Sequence, residues 1–370
     1  MKKIFYITNG INGTGGLERV LSIKASYLGE KLGYEVHILT LNQGNEKLYF
    51  KFSDRLYFHD IQVEGNPIRY FLCYRKEICR VVKEVQPDVI SVCDDGLKGL
   101  FVPVWLGRKI PLVYERHTTK WAYLNVTRKG FACNLMCLIT DRLLNFGSSL
   151  YDRFVVLTQQ NGLEWPKARV EIFPNPISFY PDVPASHDNK RVISVGTYSH
   201  IKGFDLLIRA WSQVAKVFPD WELAIFGRNV NCNDLQRLIN DLNLQDHINL
   251  YPPTSDILEE YKMSSVYALS SRYEGFGMVL IEAMACGVPC ISFDCPCGPG
   301  DIITDGEDGY LVPPEDVNAL AEKLMDMMGN EAMRKQMGAR ARENVRRYLP
   351  DVILSKWNFL FKELVNRERI

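Results

Sequence analysis

The chain holds 370 residues, 46% of them hydrophobic and 24% charged, with 44 Lys and Arg balancing 44 Asp and Glu. Those proportions exclude a disordered or membrane-spanning protein, and the length exceeds one ordinary core, so two domains of roughly 150 to 200 residues are expected. The neutral total hides an asymmetry: residues 1–180 carry 24 basic against 17 acidic side chains and the remainder 20 against 27. This is either a pair of complementary domain surfaces or a first domain that meets an anionic membrane surface or a phosphate-bearing acceptor.

The opening MKKIFYITNG turns to Asn-Gly after a few apolar residues, which reads as a buried strand and not as a signal peptide. No apolar run approaches the ~20 residues that cross a bilayer. Short apolar runs then alternate with helical patterns: KIFYIT, LERVLSIKASYLGEKLG and EVHILTL read as strand, helix and strand, the order of βαβ units in a parallel sheet. DVISVC, PLVYER and RFVVLT are further strands. The segment FPNPISFYPDVPASHDNK, with four prolines and little periodicity, is the expected linker. Beyond it RVISVG, a helix from Phe204 to about Val217, WELAIFG, a helix near Asp234 to Leu242, INLY, VYALSS and CISFD restart the alternation. Two doubly wound α/β domains in tandem are predicted, over residues 1–178 and 179–350, with ligands beyond the carboxyl ends of the strands in a cleft. The tail 351–370 carries Trp357, Phe361 and Leu364 at helical spacing, a helix whose apolar face needs a partner.

The ten cysteines are scattered, as suits a reduced, intracellular protein. Cys286, Cys290, Cys295 and Cys297 lie close enough in sequence to suggest zinc. The first sits at a helix end and the next in a strand, without paired C-x-x-C knuckles, so no metal site is expected.

Four loops have the composition of ligand sites. In TNGINGTGGLERV, Gly15 and Gly16 free the backbone to approach a phosphate at a helix start, but Glu18 stands where a dinucleotide fingerprint needs a third glycine. A flexible strand-to-helix turn is the alternative. In SVGTYSHIKGFDLLIRAW, Lys202 and Gly203 precede a helix, where a lysine can neutralise a diphosphate or be an ordinary surface lysine. In YERHTT, Glu115, Arg116 and His117 arrive together at a strand end, and the histidine is either structural or catalytic.

The fourth loop is SRYEGFGMVLIEAMACGVP. A helix from Met278 puts Glu274 just ahead of it and Glu282 one turn inside, with Gly275 and Gly277 opening the turn. The two carboxylates are at most ~12 Å apart along the helix, comparable to the distance from ribose to sugar in a nucleotide diphosphate sugar. Val279, Leu280, Ala283, Met284 and Ala285 leave almost no polar face, so Glu282 is expected to be partly buried and to need a partner. A capped helix with a solvated Glu282 is the bland alternative.

Together these segments resemble the retaining glycosyltransferase family 4, the E-x7-E glycosyltransferases of group 1, along nearly the whole chain: GTGGLERV, SVGTYSHIKGFDLLI, INLYPPTSDILEEY, EGFGMVLIEAMACGVP and CPCGPGDIITDGEDGYLVPPED. The resemblance implies the GT-B fold, two Rossmann-like domains facing across a cleft, with the final helix packing back on the first. It implies that Glu282 binds the ribose, that Gly275, Phe276, Gly277, Met278 and Val279 line the diphosphate and sugar, and that Glu274 holds sugar hydroxyls. Lys202 would meet the diphosphate, Gly16 with Gly15 would approach it from the other domain, and His117 would contact the transferred sugar. Two departures stand out: Thr197 replaces the arginine usual after SVG, leaving Lys202 and Arg272 to supply charge, and Asp301 replaces a glutamate. Family members retain anomeric configuration without a metal, and here Asp94 and Asp95 are adjacent and form no Asp-x-Asp pair.

The expected activity is transfer of a hexose or N-acetylhexosamine from a nucleotide diphosphate sugar, a uridine one first, to a glycan or lipid-linked glycan, with no cofactor and no nucleic-acid partner. A nucleotide-sugar epimerase and a non-catalytic sugar-nucleotide-binding module are the alternatives. The expected location is the cytoplasm, at the inner face of the membrane: RKGFACNLMCLITDRLLNFGSSLYDRF joins basic residues to an apolar helical pattern, which suits peripheral membrane contact as well as a core helix.

Overall fold

A computed structural model of the chain describes residues 1–94, 96–107, 109–120, 131–228 and 232–366, with the backbone alone at 131–135 and 232. It divides into two compact units, Met1–Pro176 with Pro350–Ile370, and Ile177–Leu349.

The first unit is built on a parallel sheet of β1 (Lys3–Thr8), β2 (Glu35–Leu41), β3 (Tyr57–Ile61), β4 (Val89–Cys93), β5 (Leu112–Glu115), β6 (Arg153–Val156) and β7 (Val170–Ile172), in the order β3-β2-β1-β4-β5-β6-β7. The second is built on β8 (Arg191–Val195), β9 (Glu222–Phe226), β10 (Ile248–Tyr251), β11 (Val266–Leu269), β12 (Cys290–Phe293) and β13 (Gly309–Val312), in the order β10-β9-β8-β11-β12-β13. Every residue of β4, β11 and β12 is buried. Unbroken apolar runs are what a parallel sheet covered by helices on both faces requires, since neither face meets water.

In each sheet the strand order reverses beside the first strand of the unit, between β1 and β4 and between β8 and β11. Doubly wound folds bind ligands at that reversal, beyond the carboxyl ends of the strands, because the two flanking loops diverge there. The Gly15 loop follows β1, while the Lys202 and Glu274 loops follow β8 and β11.

The helix Pro350–Asn366 buries Ile353, Leu354, Trp357, Leu360, Phe361 and Leu364 within the first unit. Phe361 packs edge-on to Tyr34 and Trp357 to Phe173 at 5.1 Å, Tyr34 donates to Asn358 at 2.7 Å, and Arg153 pairs with Glu363 at 2.8 Å. The apolar face that the sequence left unpartnered is thus covered by first-unit residues.

The segment read as either core helix or membrane contact contains the helix Phe131–Ser148. Leu144 is buried and Gly147 lies against Leu100, whereas Met136, Ile139, Leu143 and Phe146, on one helical face, are exposed. Its basic start, residues 128–130, lies outside the described residues, as does Asp95. Among the described residues no helix is long and apolar enough to cross a membrane.

Candidate functional site

In the second unit the site follows from two strand-turn-helix crossings laid side by side. After β8 the chain makes a short 3-10 turn, His200–Lys202, and enters the helix Phe204–Val217 through Gly203 at φ +62°. A Cβ on Gly203 would lie 1.9 Å from the Ser270 carbonyl oxygen, so only glycine lets this turn rest on the end of β11. That approach delivers Lys202 to the loop after β11. Lys202 Nζ is 2.6 Å from Glu274 Oε1, and Ser271 Oγ donates to the same oxygen at 2.6 Å. Glu274 is 9% exposed, so its charge is largely taken from water and balanced by one ammonium.

From Glu274 the chain passes Gly275, buries the Phe276 ring against Tyr348, and begins the helix Met278–Ala285 at Gly277, with φ +98° and no side-chain cap. The first N–H groups of an uncapped helix point along its axis with the positive end of its dipole, an arrangement that suits a phosphate. The following loop presses close: a Cβ on Gly298 would meet the Phe276 carbonyl oxygen at 2.1 Å, and Gly298 itself has φ +139°. Met278 and Val279 are half-buried at the helix start.

Glu282 is buried completely, more than the partial burial expected from its apolar neighbours. Two of its partners are hydroxyls: Ser178 donates to Oε1 at 2.9 Å and Tyr261 to Oε2 at 3.4 Å. A carboxylate only accepts, through about four lone-pair positions, so it suits hydroxyl donors of this kind. Ser178 comes from the proline-rich linker and Tyr261 from another helix, contacts at long sequence separation that a local pattern does not carry. Ser271, three positions before Glu274, was within the quoted stretch.

Arg272 does not stand ready for a diphosphate, contrary to the sequence expectation. Its guanidinium grips Asp205 through two hydrogen bonds of 2.9 and 2.8 Å, donates to the His200 carbonyl at 2.7 Å, and its Nε bonds Glu315 at 3.0 Å. Burial pushes the Asp205 carboxyl up, but the Arg272 fork outweighs it and holds the group below its ordinary range. The planar fork therefore braces the Lys202 turn against the Glu274 loop, its charge already balanced. Thr197 is exposed and adds no charge.

In the first unit Gly15 caps the helix Gly16–Glu30 with ordinary extended backbone, φ −81° and ψ 174°, and no side-chain cap; Gly15 and Gly16 are exposed. A Cβ on Gly13 or Gly15 would crowd only the Glu18 carboxylate, a flexible side chain. Glu115 closes β5 and is buried with Arg116, while His117 is half-buried just beyond. Arg116 turns inward to the Thr118 and Thr119 carbonyls at 3.2 and 3.4 Å. Thus of the three residues expected to reach a ligand together, Glu115 and Arg116 are internal. His117 Nε2 stands 3.5 Å from Glu115 Oε2, the oxygen that also accepts from Lys24 Nζ. Burial alone would raise the Glu115 carboxyl, yet Lys24 and His117 hold it down at about 2. Lys24 was legible only as a lone lysine in the apolar run LSIKASYL.

Among the described residues the side chains that come within 4.8 Å of one another as potential metal ligands are Cys93, Glu115 and His117. The Lys24 ammonium already supplies that cluster with a cation, bonded to the carboxylate. Cys286, Cys290, Cys295 and Cys297 are buried and outside any disulfide, and burial pushes the Cys286 thiol up to about 12. Asp94, the described member of the adjacent aspartates, accepts from Asn9 at 3.0 Å and from the Gly96 and Gly99 amides at 2.9 Å each, the work of a loop staple.

Residues 179–344 match the model of the family described as glycosyl transferases group 1. The chain is 27% identical to an uncharacterized glycosyltransferase of Haemophilus influenzae over 363 residues, covering 96% of this chain and 99% of that one. It is 29% identical over 373 residues to the amylovoran biosynthesis glycosyltransferase AmsD of Erwinia amylovora, covering 97% and 99%. A solved structure of TarM from S. aureus, a variant in complex with fondaparinux, alpha-GlcNAc-glycerol and UDP, superposes with a TM-score of 0.78 at 16% identity, covering 99% of this chain and 100% of that one. Two Rossmann-like units that superpose on such structures define the GT-B fold, and residues 179–344 of the chain carry a glycosyl transferases group 1 domain.

Proposed function

We propose that the protein is a retaining, metal-independent glycosyltransferase that moves a hexose or N-acetylhexosamine from a UDP-sugar to a saccharide or lipid-linked saccharide acceptor in the biosynthesis of a polysaccharide or cell-surface glycan. The observation that carries this reading is the Glu274–Glu282 stretch: two carboxylates bracket an uncapped, glycine-headed helix start, with Lys202 beside the first. Glu282 takes the ribose hydroxyls, the Gly275–Val279 backbone and Lys202 take the diphosphate, and Glu274 takes sugar hydroxyls. Gly15, Gly16 and His117 are the first unit's candidate ligand contacts, the glycines for a phosphate and His117 for a sugar. The relatives' roles in amylovoran biosynthesis and the UDP held by TarM support the donor and pathway class.

Retention follows from a same-face displacement. The anomeric carbon–oxygen bond to the diphosphate breaks, the acceptor oxygen bonds the same face, and its proton passes to the departing phosphate oxygen. Lys202, backbone N–H groups and the helix dipole stabilise the negative charge that develops there. Glu274 is already held by Lys202 and Ser271, which suits a hydrogen-bond acceptor better than a nucleophile. A glycosyl adduct trapped on a carboxylate would contradict this course.

A thermal-shift screen of UDP-, GDP- and ADP-sugars tests the donor, because a ligand that binds only the folded chain stabilises it by about 2.7 kcal/mol at 100 times its Kd. UDP-sugars are expected to raise Tm most, and a response confined to GDP- or ADP-sugars would overturn the assignment. Peripheral membrane contact belongs to the same reading, carried by the exposed Met136, Ile139, Leu143 and Phe146 in the basic first unit. It predicts co-sedimentation with vesicles that rises with their anionic lipid content, and indifference to that content would remove it.

A further inference from the structure

We propose that Arg272 is a positioning residue of the transfer reaction: it fixes the turn that carries Lys202, and so sets where that ammonium stands when the diphosphate departs, with Asp205 and Glu315 as its anchors. The inference rests on Lys202 acting at the diphosphate, and it gives Arg272 no contact with the donor.

Three consecutive carbonyls of the Lys202 turn are held by the loop after β11. Arg272 Nη1 donates to the His200 carbonyl at 2.7 Å, the Arg272 backbone N–H to the Ile201 carbonyl at 2.8 Å, and Ser270 Oγ to the Lys202 carbonyl at 3.0 Å. The lysine stem runs over Gly196, where an added Cβ would stand 3.3 to 3.4 Å from Lys202 Cγ, Cδ and Cε. Its ammonium ends on Glu274. Backbone, stem and tip of Lys202 are thus each set by a separate contact.

The Arg272 side chain is what binds this turn from both sides. It takes the His200 carbonyl ahead of Lys202 and, through the fork, the Asp205 carboxylate behind it in the first turn of the helix Phe204–Val217. Its Nε reaches Glu315 at 3.0 Å, beyond β13, where the backbone takes φ +61°, a region seldom adopted by residues with a Cβ. One guanidinium therefore joins the loops after β8, β11 and β13, and a lysine lacks the rigid fork needed to do so. The Asp205 and Glu315 side chains are 38% and 55% exposed, and ion pairs this open to water add little stability. Their effect is geometric: Lys202 is a point charge on a flexible stem, and a displacement of about 1 Å at reacting groups can cost about 100-fold in rate.

The test is a mutant cycle in the full chain, read as UDP release from UDP-N-acetylglucosamine at a temperature where circular dichroism shows every variant folded. Arg272→Gln combined with Asp205→Asn, which strands no carboxylate of the fork, is expected to lower kcat about 100-fold with a smaller change in KM. Arg272→Lys keeps the charge, loses the fork and is expected to recover little of that loss; it repeats the cycle if the combined variant does not fold. Glu315→Gln releases the more exposed anchor and is expected to cost about 5-fold or less. In a Lys202→Met chain the Arg272 substitutions should cost nothing further, whereas a merely structural role would cost the same factor in both backgrounds.

A donor-free readout accompanies the cycle. In a chain labelled with nitrogen-15 at its lysine side chains, the Lys202 ammonium, assigned by its loss in Lys202→Met, is expected apart from the exposed lysines because Glu274 binds it, and to move to their position in the combined Arg272→Gln and Asp205→Asn chain. Equal losses in the two backgrounds, or a Lys202 signal that this variant leaves in place, would overturn the proposal. Full turnover by Lys202→Met, or no UDP release by the wild type, would instead defeat the donor reading, and the Lys202 signal alone would then decide the positioning role.

Discussion

Three of the described helices begin at an uncapped glycine near a sheet reversal, and they differ in what their glycines are for. At Gly15 the backbone is ordinary and an added Cβ would meet only the movable Glu18 side chain. In the second unit Gly203, Gly277 and Gly298 all have positive φ, and Gly203 and Gly298 lie against carbonyl oxygens of the adjoining loops. The first loop tolerates other residues and the second set does not. A fixed backbone scaffold therefore underlies Glu274 and Lys202, while an added Cβ in the Gly15 loop meets a side chain that can move.

The sharpest break of this contrast is Gly203→Ala. The left-handed backbone costs roughly 1 to 2 kcal/mol with a Cβ, and the clash with Ser270 should carry the loss to about 3 to 5 kcal/mol in urea unfolding, at the upper end for single substitutions. Next comes Lys202→Met, expected to lower turnover of a UDP-sugar by about 100- to 1,000-fold, the range seen when a donor to developing charge is removed, together with a loss of stability because it strands the Glu274 carboxylate. Glu282→Ala strands the Ser178 and Tyr261 hydroxyls and should cost about 1 to 3 kcal/mol of stability in addition to its effect on donor binding. Acid unfolding probes the first unit. The folded Glu115 carboxyl lies at about 2 against an ordinary 4.5, so its stabilising contribution is present above the ordinary value and is lost as pH falls through that window toward 2. Glu115→Gln should flatten that part of the stability profile. The smallest effect is assigned to Gly15→Ala, below about 1 kcal/mol by equilibrium unfolding, since its φ suits any residue. A Gly15→Ala loss as large as that of Gly203→Ala would erase the contrast.

Much of this was legible because parallel sheets write themselves as apolar runs. KIFYIT, EVHILTL, RVISVG and CISFD lie at strands within a residue or two, and the helix expected from Met278 starts there. The strands not anticipated are peripheral. Tyr57–Ile61 shows mostly exposed side chains, Val170–Ile172 is short and half-buried, and Gly309–Val312 is embedded in a glycine- and proline-rich loop, so none carries a buried strand's pattern. In the candidate site, spacing along the chain placed Glu274 before the helix and Glu282 within it. It could not place Lys202 on Glu274, Ser178 on Glu282 or Lys24 on Glu115, which join residues 72, 104 and 91 positions apart. The same blindness misassigned Arg272: its bidentate partner Asp205 lies 67 positions away.

The central claim is that the two glutamates of the second unit divide the donor between them, and calorimetric titration of UDP and of a UDP-sugar into the wild type, Glu274→Gln and Glu282→Gln tests it directly. The account predicts that Glu282→Gln weakens UDP about 10-fold or more, in line with a lost charge-assisted hydrogen bond. Glu274→Gln should leave UDP affinity near wild type while abolishing the added affinity and turnover that come with the sugar. The same defect in both variants, or wild-type UDP binding by Glu282→Gln, would contradict it.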